Sequence, residues 1–93
     1  MPVSQKTVPV DDSAPTALFN AAHNRRRFVI HNDSGQAIYV GGPTVTTTDG
    51  HVIADGGTFE VVQQFSTDAS AKYQWYAICS AAPANIRVVE VTG

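Results

Sequence analysis

A chain of 93 residues, 43% hydrophobic and only 15% charged, has the composition of one folded domain rather than a disordered segment. Its formal charge of −2 supplies no basic field to recruit nucleic acid or an anionic membrane surface. A single cysteine, Cys79, excludes an intramolecular disulfide and a cysteine-based zinc cluster, and is expected as a small buried hydrophobe.

The opening residues MPVSQKTVPVDD contain no apolar signal segment, and no stretch approaches ~18 apolar residues. Neither signal-peptide secretion nor a membrane span is expected. Pro and alternating Val favour extended structure here, so residues 1–24 are set apart as an extended arm able to reach a neighbour, ahead of a domain over residues 25–93. Within the arm, SAPTALFNAAHNRRR is ambiguous. Ser13 can cap a helix and arginines follow, which allows a short helix over residues 14–22. Phe19, Thr16, two Asn and a Pro weaken that case in favour of a strand or an ordered loop.

Turn-forming residues then recur at short intervals, the last two clusters at residues 66–70 and at Ala82-Pro83. The runs between them are rich in Val, Ile, Thr and aromatics. Strands are expected near residues 6–10, 26–31, 37–41, 44–48, 51–54, 58–62, 73–80 and 86–91. The fold class is therefore all-β, a compact sandwich or small barrel of about 7–8 short antiparallel strands. A domain of this size buries little more than ~60% of its unfolded surface, so partner subunits would supplement a thin core. Two hairpins are expected. Residues 32–36 would return the chain from FVIH to AIYVG, and Asp49-Gly50 would join TVTTT to HVIA through a type I′ turn. In KYQWYAICS, Tyr73, Trp75, Ala77 and Cys79 share one face while Gln74, Tyr76 and Ile78 share the other. Both faces are apolar, which suits a central strand or one at a subunit interface.

Three of the six Lys and Arg residues are consecutive, at Arg25, Arg26 and Arg27. Strand alternation would put Arg25 and Arg27 on the face of Val29 and His31, with Arg26 on that of Phe28 and Ile30. Split in this way they form no single clamp, and three phosphate contacts give a log–log salt slope of only about −2.7. Solvated or interface arginines that pair with carboxylates are the expected reading; nucleic-acid or other anion contact is the alternative.

Chemical motifs are sparse. His23, His31 and His51, with Asp33, Asp49, Asp55 and several Ser, supply raw material for a catalytic triad but stand in no GxSxG-type motif. Asp49, His51 and Asp55 match no metal-ligand spacing, and turn stereochemistry explains the Asp-Gly pairs. Gly41-Gly42-Pro43-Thr44 lacks the Lys and helix of a phosphate loop, and Asn32-Asp33-Ser34 fits the glycosylation triplet by chance. No catalytic, cofactor or metal residue is assigned. The exposed-aromatic alternative, a sugar-stacking platform, would draw on Tyr73, Trp75 and Tyr76.

Over residues 24–61 and 74–91 the chain resembles a class of small tailed-bacteriophage virion proteins. In these an Arg-led strand runs into I-x-N, then I-Y-V-G, a Thr/Val run, a Gly-Gly turn unit and a closing pair of strands. The matching residues are Arg27, Ile30, Asn32, Ile38, Tyr39, Val40, Gly41, Gly50, Ile53, Gly56, Gly57, Tyr76, Ala77, Ile78, Val88, Val89 and Glu90. The resemblance implies a β domain that multimerises on a particle, best suited to a capsid decoration (cement) protein. It implies docking on the major capsid protein or another virion protein, a homo-oligomer of three-fold symmetry, and a place on the capsid surface after assembly in the host cytoplasm. A tail- or fibre-associated module that binds host-surface glycans is the alternative. Candidate interface residues are Arg25, Arg26, Arg27, Tyr39, Trp75 and Tyr76. Neither nucleic acid nor membrane is expected as a partner, and Arg27→Ala is expected to weaken assembly.

Overall fold

The computed structural model describes residues 3–21, 24–62 and 73–92. His23 and the turn expected over residues 66–70 lie outside them. Eight strands are present among the described residues: β1 (Val3–Val10), β2 (Thr16–Ala17), β3 (Arg25–His31), β4 (Ile38–Gly41), β5 (His51–Ile53), β6 (Thr58–Val62), β7 (Tyr76–Cys79) and β8 (Ala84–Thr92). They form two four-stranded antiparallel sheets, ordered β1-β8-β3-β6 and β2-β7-β4-β5. The fold is an all-β sandwich.

Alternation decides what lies between the sheets. Val8, Val10, Phe28, Ile30, Ala84, Ile86 and Val88 point inward from the first sheet. Ile38, Val40, Ile53, Ala77 and Cys79 meet them from the second, with Leu18 and Phe19 filling the core between. Each large apolar side chain so buried contributes roughly 1.5–3 kcal/mol.

The expected arm is an integral part of this sandwich. All eight residues of β1 pair with β8, and Val8 and Val10 are core residues. β1 is nevertheless an edge strand. Pro9, which lacks an N–H, and the exposed Lys6 are the residue types that discourage further strand pairing. The helix allowed over residues 14–22 does not form in the described part. Thr16 and Ala17 pair with Ala77 and Tyr76 instead, because burying Leu18 and Phe19 outweighs a weak local helical preference.

Neither expected hairpin is present. Residues 32–37 carry the chain from β3 in one sheet to β4 in the other, and among the described residues β4–β5 is the only pair of consecutive strands that also hydrogen-bond. Asn32 organises this crossing. Its side chain is fully buried, and Nδ2 donates to the carbonyls of Gln36 (2.7 Å) and Ile53 (2.8 Å). Oδ1 accepts from the Ser34 hydroxyl at 2.7 Å and the Ser34 N–H at 3.1 Å. Gly35 and Gly56 adopt φ of 91° and 82°, which suits glycine, in this arch and in the neighbouring turn.

Residues 44–48 form no strand. Asp49 accepts hydrogen bonds from the Thr46 N–H (2.7 Å) and hydroxyl (2.8 Å), and Gly50 N–H donates to Thr46 O at 3.0 Å. The Asp-Gly pair thus closes a loop rather than a type I′ turn. Val45 is buried against Gly41 and Gly50 on the outer side of the second sheet.

Candidate functional site

The arginine run is not divided as simple alternation predicts. A register shift between Arg25 and Arg27, in the pairing of β3 with β8, inserts an extra residue. Arg25 therefore turns inward to 1% exposure, while Arg26 and Arg27 are exposed. Arg25 Nε lies 3.3 Å from Glu90 Oε2, and a terminal nitrogen donates to Tyr73 O at 3.2 Å. The other terminal nitrogen donates to Asn20 O, and the guanidinium sits 3.8 Å over the Phe19 ring. This arginine is a tie between three segments. Arg27 pairs with Glu60 across the outer face of the first sheet, and Arg87 pairs with Asp33 at 2.9 Å.

Trp75 is half-buried and faces the core, its ring 5.5 Å from Phe28 and 5.6 Å from Phe59. It precedes β7, which begins only at Tyr76. Tyr76 and Tyr39 are half-buried on the outer side of the second sheet. The Tyr76 hydroxyl donates to Gln74 Oε1 at 2.9 Å. Tyr73, Gln74 and Trp75 join Gly41 and Gly42 to line an open cleft of about 350 Å³, at which Tyr73 is 64% exposed. A second cleft, of about 550 Å³, lies along β1 and β8 between Gln5, Lys6, Thr7, Arg87 and Val89.

The carboxylates considered for catalysis or metal binding have structural duties. Asp49 caps its own loop, and these hydrogen bonds, the Thr46 N–H foremost, hold its pKa below the ordinary carboxylate value. Asp11 is likewise lowered, chiefly by the Asp12 N–H. Asp55 accepts the Gly35 N–H at 3.0 Å. Among the described residues no group of three or more His, Cys, Asp or Glu is placed to hold a metal ion. Cys79 is buried, and desolvation raises its thiol pKa.

The two outer faces differ in kind. On the first sheet, Val3, Val29, Val62, Val89 and Val91 alternate with the Arg27–Glu60 pair, Arg87 and His31. On the second, Tyr39, Val45, Val52, Tyr76 and Ile78 lie together with no charged neighbour in the strand pairing. Val45 and Ile78 are buried yet lie outside the central core cluster. The sequence reading picked out Tyr39 and Tyr76 but missed Val45 and Val52. Alternation from Tyr39 and Ile78 would have found Val52; only the tertiary path of residues 42–50 brings Val45 there.

No family model, curated protein or solved structure matches the chain.

Proposed function

We propose that the protein is a structural virion protein, a decoration protein that binds and stabilises a bacteriophage capsid lattice as a homo-oligomer. The resemblance of residues 24–61 and 74–91 to small phage virion domains supplies the context. The observation that carries the proposal is the apolar surface on both outer faces of so small a sandwich. Val3 is 63% exposed and Val62 42% on one face, and Val52 is 53% exposed on the other. Val3 and Val91 are neighbours in one row across the first sheet, separated from Val62 by Arg27, and exposed apolar side chains gathered on one face suit a protein interaction surface. The face of the first sheet, with valines among ion pairs, has the mixed character of a surface that meets a different protein.

Purified protein added to undecorated phage particles is expected to bind stoichiometrically and to raise their resistance to heat. Val3→Lys is expected to weaken that binding. Absence of binding to the capsid lattice, with saturation of tail structures instead, would overturn the proposal. The cleft at Tyr73, Gln74 and Trp75 favours a second reading, a host-surface glycan module on a tail or fibre, since an exposed ring beside an amide suits sugar stacking. Tyr73→Ala is the discriminating variant. Loss of cell-surface binding with capsid binding intact would favour the glycan reading.

A further inference from the structure

We infer that the cleft along β1 and β8, on the outer face of the first sheet, receives an extended, carboxylate-bearing segment of a partner polypeptide. The inference rests on the reading of this face as one that meets a different protein, and it names the chemistry that the partner presents.

Strand register builds the cleft. Gln5 pairs with Val89 and Thr7 with Arg87, so long and short side chains alternate over this part of the face. Gln5 and Arg87 stand at opposite corners, and the shorter Thr7 and Val89 leave a hollow between them. Its volume of about 550 Å³ far exceeds the ~30 Å³ that a water takes up in the liquid, so side chains enter it rather than a lone ion.

The charge of the lining is one-sided. Lys6 and Arg87 contribute to it, and none of the described residues around it is acidic. Lys6 is exposed and has no ion-pair partner among the described residues. Asp33 Oδ2 meets Arg87 Nη2 at 2.9 Å, yet a guanidinium carries five N–H donors and keeps others to offer a second carboxylate. Gln5 and Thr7 add an amide and a hydroxyl, which suit the peptide groups of an extended chain. Val89 supplies an apolar wall, and Val3 and Val91 continue it in the next row of the sheet. A segment that alternates acidic and apolar residues therefore matches both features. The whole chain carries −2, so attraction of an acidic segment is local to these cations. Nucleic acid is a poorer occupant. Two cations give a duplex a salt slope of only about −1.8, and valines offer no ring for a base to stack on.

Fluorescence anisotropy with a short labelled peptide that alternates glutamate and valine tests the inference, at ~10 mM salt to limit screening. The full-length chain is expected to bind it with a Kd below ~1 mM. Glutamine in place of each glutamate should abolish binding. Arg87→Gln and Lys6→Gln, both at exposed positions, should each weaken it by about 3–5-fold with circular dichroism unchanged. Ala17→Glu changes the net charge equally on the opposite sheet and should alter binding by less than ~2-fold. No binding of the glutamate peptide, equal binding of the glutamine peptide or of a single-stranded oligonucleotide, or undiminished binding by folded Arg87→Gln and Lys6→Gln proteins would overturn the inference. Loss in Ala17→Glu as large as in Arg87→Gln would do the same. Binding to undecorated particles has its own readout, so failure with the peptide is distinguishable from failure of the decoration proposal.

Discussion

Replacing Arg25 by alanine tests most directly how this sandwich is held at its arginine end. The side chain is 1% exposed and meets Glu90, Tyr73 O, Asn20 O and the Phe19 ring. Truncation deprives two carbonyls of charged donors, at ~1–3 kcal/mol for each group left unsatisfied in the interior. It also removes a cation–π contact worth about 1 kcal/mol and leaves Glu90 without its partner. Breaking a buried ion pair costs about 3–5 kcal/mol. Glu90 keeps 16% exposure and some hydration, so the net loss is placed at about 3–4 kcal/mol, not the sum of these contributions. Against a total stability of about 5–15 kcal/mol this is a large share, and the melting temperature should fall by roughly 15 °C or more. Trp75, the single tryptophan, lies 5.5 Å from Phe28 and reports unfolding in urea by its fluorescence. Arg25→Lys should rescue only in part, because one ammonium cannot reproduce the planar fork. Arg27→Ala removes an ion pair whose side chains are 52% and 43% exposed, and should cost less than ~1 kcal/mol. An Arg25→Ala protein within ~1 kcal/mol of the unaltered chain would refute the assignment of Arg25 as a structural tie.

Three further expectations follow from side chains inside the arches and loops. Asn32→Ala strips the donors from Gln36 O and Ile53 O and should cost about 2–4 kcal/mol in urea denaturation. Asn32→Asp should be worse at neutral pH, since a carboxylate would face two carbonyl oxygens; the gap should narrow as acid neutralises it. Gly50→Ala would set a methyl 2.7 Å from Val45 Cγ2 and 2.8 Å from Tyr39 Cβ, so a loss of about 1–3 kcal/mol is expected by thermal denaturation. The depressed pKa values of Asp11 and Asp49 add stability above the ordinary carboxylate range, and it is lost as pH falls through the folded-state values. A double Asp11→Asn, Asp49→Asn variant should therefore show a flatter fall in urea midpoint below about pH 5.

Strand content was legible because its signal is local. Period-two runs bounded by Gly, Asp, Asn and Pro mark β3, β4, β6 and β8 within a few residues of their observed limits. The placement of the candidate interface residues was legible in part. Tyr39 and Tyr76 do reach an outer face, but Trp75 packs against Phe28 and Phe59, and Arg25 is buried beside Glu90. The register shift at the start of β3 reverses the direction of Arg25, and no residue type in NRRRF announces it. Hairpins were misjudged for a related reason. Gly and Asn satisfy a tight arch between sheets as readily as a turn within one, so residues 32–36 fit both.

By itself, then, the sequence determined the all-β class and the positions of most strands, since propensity and alternation act over a few neighbours. Tertiary structure decided which strands pair, why β1 belongs to the sandwich, where Arg25 points and how Val45 comes to lie beside Tyr39. Those outcomes depend on which surfaces must cover one another across the core. That competition is between segments distant in the chain, and it is settled only when both sheets are present.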